Sequence, residues 1–302
     1  MKLRIGTRGS RLALAQTNWV IDRLRAHRPD IECEVQIIHT TGDKILDKPL
    51  AEIGDKGLFV RQIEQALLDG EIDLAVHSMK DMPTAPVEGL CFSQVWPRAD
   101  RRDALVLRQP GAVEDLPQGA RLATGSKRRV GQLLQLRPDF VTEGIRGNLD
   151  TRLRKMEEQQ LDGLVLAAAG LQRLGLGDRI SRYFSDEEVL PAPAQGALAL
   201  EVRSDNAELL TILNDLCDPK ADREVRAERA FLAAVDGSCQ IPVGASAHWE
   251  GNSLTLHALL GNAEADRLVR CTLVGSPEAP EKLGQRAADL LRAKLAKSKE
   301  EF

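Results

Sequence analysis

The amino-acid sequence predicts an α/β fold in which two wound lobes are followed by a small C-terminal α+β domain. At 302 residues the chain is longer than one hydrophobic core usually serves, so two or three domains are expected. Short apolar runs alternate with amphipathic segments of helical period, which is typical of strands and helices wound into one sheet. Irregular stretches at residues 96–103 and 190–197 indicate that the chain crosses to a second lobe and returns.

The first lobe begins with a strand predicted at residues 2–6. Ser10 then precedes a segment with apolar residues at helical spacing, so it is a suitable N-cap. Further strands are predicted at residues 34–39 and 74–77, with a helix at residues 58–68 between them.

The second lobe repeats this order between its two crossings. Strands are predicted at residues 104–107, 122–124, 141–145 and 164–168, and helices at residues 130–136 and 149–158. Asn148 is a suitable N-cap for the second of these helices.

The rest of the chain is predicted to return to the first lobe and then form a separate domain. Its expected elements are a strand at 197–202, a helix at 222–235, strands at 254–260 and 268–274, and a helix at 280–296. The predicted domains are residues 1–97 with 197–216, residues 98–196, and residues 217–302. Two lobes joined by two crossings indicate a hinged clamp that binds its ligand in the cleft.

Composition excludes several classes of partner. The net charge is −4 and aromatic residues make up 3% of the chain, so no broad basic surface or base-stacking platform for nucleic acid is expected. No apolar stretch is long enough for a signal segment or a membrane span. The five cysteines are an odd number without a C-x-x-C pair, which argues against disulfides and structural zinc. We therefore expect a cytoplasmic protein without a metal, and nothing in the sequence requires more than a monomer.

Several arginines share one place in the predicted topology, after a strand and beside Gly, Ser or Thr. They are Arg8, Arg128, Arg129, Arg146 and Arg152. In open α/β sheets ligands bind beyond the carboxyl ends of strands, where helix N-termini and guanidinium forks attract anions. Each arginine alone could be a solvated surface residue, but their recurrence in both lobes favours a site for a small polyanion. No phosphate-loop motif occurs, which leaves nucleotide binding with weak support.

Two further segments contain polar or reactive residues whose positions suggest a functional role. Residues 77–83 (HSMKDMP) follow an apolar strand, and Asp81 is either a plain turn residue or a carboxylate that stabilises positive charge on a substrate. Cys239 lies in a loop bounded by glycine and proline. A lone cysteine is usually structural, although a loop of this kind favours an accessible thiol.

Eight segments, taken in order along the chain, carry a resemblance that none carries alone. They are RIGTRGSRLALAQ at the N-terminus, GDKGLF (54–59), HSMKDMP (77–83), TGSKRR (124–129), RGNLDTR (146–152), AAGLQRL (168–174), AQGA (194–197) and DGSCQIPVG (236–244). In this register the chain resembles the porphobilinogen deaminase (hydroxymethylbilane synthase) family over nearly its whole length. The resemblance implies two lobes like those of periplasmic binding proteins and a third domain that carries the Cys239 loop.

The resemblance also implies an activity and a cofactor. A dipyrromethane would be attached by a thioether to Cys239. Four porphobilinogen molecules would be joined on it head to tail with loss of ammonia, and water would release hydroxymethylbilane. Each pyrrole ring carries an acetate and a propionate, so the growing chain is a polyanion, which agrees with the arginine-bearing loops.

Family residues are carried over position by position. The resemblance assigns Asp81 to catalysis, beside the pyrrole nitrogens. It assigns cofactor binding to Arg8, Ser10, Ser78, Lys80, Thr124, Ser126, Arg128, Arg129, Arg146 and Gly147, together with Cys239. It assigns substrate binding to Arg8, Gln16, Lys56, Phe59, Arg146, Arg152, Arg173 and Gln195.

The chain departs from the family pattern in its supporting residues. Glu52 stands where a lysine is expected, and Gly125 stands where a serine is expected. Asp236-Gly237-Ser238 replaces a more usual E-G-G before the cysteine, and Pro193-Ala194 replaces a glycine-richer turn. The arginines, Asp81 and Cys239 are unaffected.

Two other functions remain open from the residues alone. A non-catalytic two-lobed binding protein for a small polyanion would suit the arginines, but it would give Cys239 no role. A phosphate-handling enzyme on a similar fold would need a phosphate loop or a magnesium carboxylate set, and neither is evident.

Overall fold

The structure is a computed structural model that describes residues 1–40, 60–236 and 241–297. The strands in these ranges are β1 (Lys2–Thr7), β2 (Glu32–Ile37), β3 (Leu74–Ser78), β4 (Leu90–Phe92), β5 (Asp103–Leu107), β6 (Arg121–Ala123), β7 (Val141–Glu143), β8 (Gly163–Ala167), β9 (Arg182–Tyr183), β10 (Leu198–Arg203), β11 (Val243–Glu250), β12 (Ser253–Gly261) and β13 (Leu268–Gly275). The helices are α1 (Arg11–His27), α2 (Arg61–Leu68), α3 (Lys127–Leu136), α4 (Leu149–Glu158), α5 (Ala168–Arg173), α6 (Ala207–Asn214), α7 (Pro219–Ala234) and α8 (Pro280–Lys297).

These elements fall into two units. The first comprises Met1–Ala99 and Ala197–Asp222, and the second comprises Asp100–Gly196 and Arg223–Phe302. The described residues contain no helix that is both long enough and apolar enough to cross a membrane.

The first unit is built on a five-stranded mixed sheet in the order β2-β1-β3-β10-β4. Strand β1 runs parallel to β2 and β3, whereas the returning strand β10 runs antiparallel to β3 and β4. Ile5 and Leu74 are fully buried because helices cover the sheet, which explains the apolar run at the start of β3. Leu24 of α1 and Leu213 of α6 belong to the same hydrophobic cluster.

The second unit contains two sheets. A five-stranded mixed sheet has the order β7-β6-β8-β5-β9, and its two faces bury separate hydrophobic clusters. The C-terminal sheet is an antiparallel β11-β12-β13 meander that packs with α7 and α8. These two helices approach closely at Gly284, where an added Cβ would lie 2.6 Å from the backbone nitrogen of Phe231.

The predicted fold class is confirmed by these sheets and helices, and every predicted strand lies within two residues of an observed one. The predicted N-caps are also confirmed: Ser10 Oγ accepts from Ala13 N at 3.2 Å, and Asn148 Oδ1 accepts from Thr151 N at 2.9 Å. The helix predicted at 58–68 is described from Arg61 onward. The helix predicted at 222–235 begins three residues earlier, at Pro219, a residue favoured in the first turn.

The predicted start of α3 was wrong, and several observed elements were not predicted from the sequence. Helix α3 begins at Lys127 rather than at residue 130, so Arg128 and Arg129 lie in its first turn and not in the preceding loop. The unpredicted elements are β4, β9, β11, α5 and α6. Strand β11 is rich in Gly, Ala and Ser, which have weak strand propensity, and its eight-residue pairing with β12 defines it.

Candidate active site

In the first unit, the predicted site residues gather at one edge of the sheet. Strand β1 ends at Thr7, immediately before Arg8, and the parallel strand β3 ends at Ser78, immediately before the turn that contains Lys80 and Asp81. Because β1 and β3 are parallel neighbours, their carboxyl ends lie at the same edge. The topology therefore brings the first arginine turn and the Asp81 turn together.

A hydrogen bond joins helix α1 to the end of β3. Gln16 is buried, and its Nε2 donates to Ser78 Oγ at 3.0 Å. Ser10 caps the same helix and is half-buried. Helix α1 thus carries one residue assigned to the substrate, Gln16, and is capped by one assigned to the cofactor, Ser10.

Asp81 ends a single 3-10 turn, Met79–Asp81, which is anchored on both sides. Met79 N donates to Ala197 O at 3.0 Å, and Met82 N donates to Met79 O at 3.2 Å. Met79 and Met82 are buried, while Asp81 is exposed. The two methionines hold the turn against the core, and the carboxylate of Asp81 is left on the surface, where it could reach a bound molecule.

A buried ionisable cluster lies beside this turn and was missed by the sequence analysis. His77 Nε2 lies 3.3 Å from Glu201 Oε2, with side chains 5% and 0% exposed. Neither oxygen of Glu201 nor His77 Nε2 makes a hydrogen bond within the described chain. Burial and the nearby Glu201 raise the pKa of the Glu64 carboxyl in α2. The sequence does contain a signal for this cluster, because Glu201 is an acidic residue inside the apolar run of β10.

In the second unit, the loop after β6 leads into a group of buried charges. Thr124 is buried, and its Oγ1 accepts from Ser126 N at 3.3 Å. Arg128 Nη1 donates to Asp103 Oδ2 at 2.6 Å, and Arg129 Nη2 donates to Asp103 Oδ1 at 2.6 Å. Arg128 also donates to Leu190 O and Arg129 to Val165 O. Both guanidiniums therefore already have protein partners.

Asp103 is ionised despite complete burial. Burial alone would raise the pKa of its carboxyl, but the charges and hydrogen bonds of Arg128 and Arg129 outweigh burial and hold that pKa well below its usual range. Burial lowers the pKa of the Arg128 guanidinium, and Asp103 opposes that effect. Sequence analysis did not single out Asp103, since an aspartate at the start of a strand carries no distinctive signal.

Arg146 and Arg152 lie on either side of a glycine turn before α4. Gly147 has a φ of +114°, and an added Cβ would lie 2.8 Å from Thr151 Cβ, so the turn requires glycine. Arg152 Nε donates to Gly147 O at 2.9 Å. Arg146 Nη1 is buried and has no hydrogen-bond partner among the described residues. A buried guanidinium nitrogen without an acceptor is costly and marks a place for an anionic ligand.

Arg173 and Gln195 meet the segment where the chain leaves the second unit. Arg173 Nη2 donates to Gly196 O at 2.7 Å, and burial lowers the pKa of its guanidinium to about 10. Gln195 is fully buried, and its Nε2 donates to Arg101 O at 2.8 Å and to Asp103 Oδ1 at 2.9 Å.

The turn before Gln195 is held by another buried carboxylate, Glu228 of α7. Ala194, with a φ of +62°, donates its backbone N–H to Glu228 Oε2 at 2.6 Å. Ala247 N donates to Glu228 Oε1 at 2.8 Å. One fully buried side chain thus ties the Ala194 turn to strand β11.

Three assigned residues, Cys239, Lys56 and Phe59, lie outside the described residues, as does Glu52. The other four cysteines are half-buried, and Cys33, Cys91 and Cys271 are free thiols. Burial raises the thiol pKa of Cys33, Cys91 and Cys271, which makes them poor nucleophiles. The described residues also contain no group of three or more His, Cys, Asp or Glu that could hold a metal ion.

The described donors fit a ligand with several carboxylates, such as a dipyrromethane. Arg146 Nη1 and Arg129 Nε are buried without hydrogen-bond partners in the described chain. The pKa of Arg173 is lowered by burial alone, without a compensating effect from a carboxylate. Guanidiniums in this condition are stabilised by a bound anion, and a pyrrole acetate or propionate supplies one.

Comparison with known proteins gives a consistent result. Residues 3–211 match the family model described as the dipyromethane cofactor binding domain of porphobilinogen deaminase, and residues 223–293 match that of its C-terminal domain. A porphobilinogen deaminase from Lachnospira eligens is 49% identical over 96% of this chain and 99% of its own length. One from Clostridioides difficile is 47% identical over 96% of this chain and 97% of its own length.

A more distant likeness is to a solved structure of a probable amino-acid ABC transporter extracellular-binding protein from Bacillus subtilis. It has a TM-score of 0.43 and 12% identity, and it covers 72% of this chain and 90% of that chain. The family models and the relatives agree over nearly the whole sequence, and the chain belongs to the porphobilinogen deaminase family.

Proposed function

We propose that this chain is a transferase of tetrapyrrole (haem) biosynthesis that joins four porphobilinogen molecules head to tail with release of ammonia. The product is hydroxymethylbilane, released by water from a covalently bound dipyrromethane. The observation that carries this proposal is the match of residues 3–211 to the dipyromethane cofactor binding domain. When bound, the dipyrromethane supplies the pyrrole carbon to which the first substrate is joined.

The arginines hold the carboxylates of the cofactor and the growing chain. Arg146 and Arg173 are the best supported: both are half-buried, Arg146 Nη1 is buried without a hydrogen-bond partner among the described residues, and burial lowers the pKa of the Arg173 guanidinium. Arg8 lies on the turn that follows β1, and Arg152 lies in the first turn of α4, where backbone N–H groups add to the attraction for anions. Arg128 and Arg129 contribute through the donors that Asp103 leaves available.

Asp81 acts on the reacting ring. Its carboxylate lies on a turn fixed by two buried methionines, so it can stay near a pyrrole nitrogen without rearrangement of the chain. A negative charge held there stabilises the positive charge that develops on the substrate as ammonia leaves. Lys80, the preceding residue, is half-buried in the same turn.

The remaining assigned residues position or enclose the ligand. Ser10, Ser78, Thr124, Ser126 and Gly147 lie on the turns after β1, β3 and β6 and before α4, next to the charged residues that we assign to the cofactor. Gln16 and Gln195 are buried amides that fix the Ser78 and Asp103 regions. We assign covalent attachment to Cys239 and substrate contacts to Lys56 and Phe59 on the strength of the family motifs.

We propose the domain division of residues 1–97 with 197–216, residues 98–196, and residues 217–302. Three separate sheets among the described residues support it. We also propose that the protein is a cytoplasmic monomer without a nucleic-acid partner, and the free thiols of Cys33, Cys91 and Cys271 support a reducing compartment. A non-catalytic polyanion-binding protein is not favoured by the family match.

The mass of the intact protein tests the proposal. The chain purified from cells able to make porphobilinogen should exceed its sequence mass by one dipyrromethane under denaturing conditions. The excess should be absent in Cys239→Ser. Cys271→Ser is the matched control and should keep the adduct, because the Cys271 thiol is half-buried with a raised pKa.

The loaded protein should also consume porphobilinogen and release ammonia, which separates an enzyme from a binding protein. A wild-type chain without added mass, or one with the adduct but no turnover, contradicts the proposed function.

A further inference from the structure

One buried carboxylate, Asp103, holds three side chains that the family motifs assign to ligand binding. Its Oδ2 accepts from Arg128 Nη1 at 2.6 Å. Its Oδ1 accepts from Arg129 Nη2 at 2.6 Å and from Gln195 Nε2 at 2.9 Å. Asp103 is fully buried and no family motif used in the sequence analysis contains it.

The charges around Asp103 do not cancel. The side chains of Arg128 and Arg129 are 5% and 7% exposed, and no other carboxylate of the described chain contacts either guanidinium. Two buried positive charges therefore face one negative charge. Arg129 Nε is also buried without a hydrogen-bond partner there. Buried charge without a counter-charge is unstable, so this cluster is suited to one further anion.

Asp103 also fixes the direction of the two guanidiniums. The residues are neighbours in the first turn of α3, where like charges would drive them apart without a common partner. A carboxylate shared between them orients both forks, and the backbone acceptors Leu190 O and Val165 O complete the arrangement.

We propose that Asp103 is a positioning residue for the ligand carboxylates. It orients Arg128 and Arg129, links them to Gln195, and leaves one net positive charge for an acetate or propionate of the bound pyrroles. This inference rests on the proposed function, since it requires that the ligand be a pyrrole polycarboxylate.

The test compares Asp103→Asn with Asp103→Glu and with a matched control. The control is Asp139→Asn, because Asp139 also accepts from one arginine fork, that of Arg137, but lies among residues without an assigned role. Each full-length protein is purified from cells able to make porphobilinogen. The measurements are the folded fraction and Tm, the adduct fraction by intact mass, and the KM and kcat for porphobilinogen.

Folded Asp103→Asn should carry less adduct than the wild type, and its loaded fraction should show a KM raised about tenfold or more, with a smaller change in kcat. Asp103→Glu keeps the negative charge but displaces it by one methylene. Its adduct fraction and its KM should therefore lie between those of the wild type and those of Asp103→Asn. Asp139→Asn should match the wild type in adduct and KM.

A purely structural role for Asp103 would lower Tm without changing adduct fraction or KM, and that result overturns the inference. Where Asp103→Asn does not fold, Asp103→Glu decides: a raised KM or a reduced adduct supports positioning, and wild-type values overturn it. Absence of adduct and turnover in the wild type would instead refute the proposed function, so the two failures are distinguishable.

Discussion

The position of the Asp81 carboxylate is set by the backbone turn that carries it. The residue is exposed, and its turn is fixed by the buried Met79 and Met82. Sequence reasoning could identify the HSMKDMP segment but could not tell a turn aspartate from a functional one. The anchored turn favours the functional interpretation, because a plain surface turn needs no buried residues on both sides.

We predict that Asp81→Ala keeps the dipyrromethane adduct but lowers kcat by about 10²–10⁴-fold, the usual contribution of a positioned acid or base. Asp81→Glu should recover part of the lost rate. Glu88→Ala, at an exposed position in the following loop, serves as the control. Turnover of Asp81→Ala at the wild-type rate would remove the residue from the catalytic role.

The arginines illustrate what residue spacing does and does not predict. Their place after strands was predicted correctly in outline, because strand ends in α/β sheets are recognisable from periodicity. Their hydrogen-bond partners were not predicted, because Asp103 is separated in sequence from Arg128 by 25 residues and from Arg129 by 26. A contact at that distance in sequence depends on the packing of β5 against the rest of the sheet.

Strand β3, strand β10 and helix α2 together bury three ionisable groups: His77, Glu201 and Glu64. Burial, followed by the neighbouring Glu201, raises the pKa of Glu64. The folded protein then binds the Glu64 proton more tightly than the unfolded chain does. The contribution of Glu64 to folding stability is therefore fully present below about pH 4.3, the pKa of glutamate in the unfolded chain. That contribution is lost as the pH rises through the higher pKa of the folded state.

Replacement of Glu64 by glutamine should consequently raise Tm at pH 7, by about 2–4 °C for each kcal/mol gained. The difference from the wild type should shrink near pH 4, where Glu64 is protonated in both states. Glu71→Gln, at an exposed position beyond the end of α2, is the control. A Tm difference that is independent of pH would show that Glu64 acts through packing and not through its charge.

Among the elements, the predicted strands were located well and the helix starts less well. Strand β3 is an apolar run that lies between Asp73 and the polar residues His77 and Ser78, so its position is recognisable from the sequence. Helix α3 was predicted three residues too late because its first turn is Lys-Arg-Arg, which has no apolar periodicity. Strand β11 was missed because its small residues reveal a strand only when β12 lies beside it.

The whole molecule combines a net charge of −4 with one buried pair of positive charges, Arg128 and Arg129, among the described residues. Composition alone excluded a broad basic surface, and the structure agrees in placing the assigned cations singly or in pairs after strands and at helix starts. Arg146, Arg173 and the Arg128–Arg129 pair each lack a full set of counter-charges within the described chain. Folding therefore gathers positive charge that only a bound anion neutralises.

It follows that the cofactor should stabilise the folded protein as well as react. A polyanion that binds the folded state and not the unfolded chain shifts the equilibrium toward folding. We expect the adduct-bearing wild type to show a higher Tm than the Cys239→Ser protein, with Cys271→Ser equal to the wild type. Differential scanning calorimetry on samples whose adduct content is known from intact mass checks this. Equal Tm values for loaded and unloaded protein would mean that the buried guanidiniums are already satisfied without the ligand, and the carboxylate roles of Arg146 and Arg173 would then be untenable.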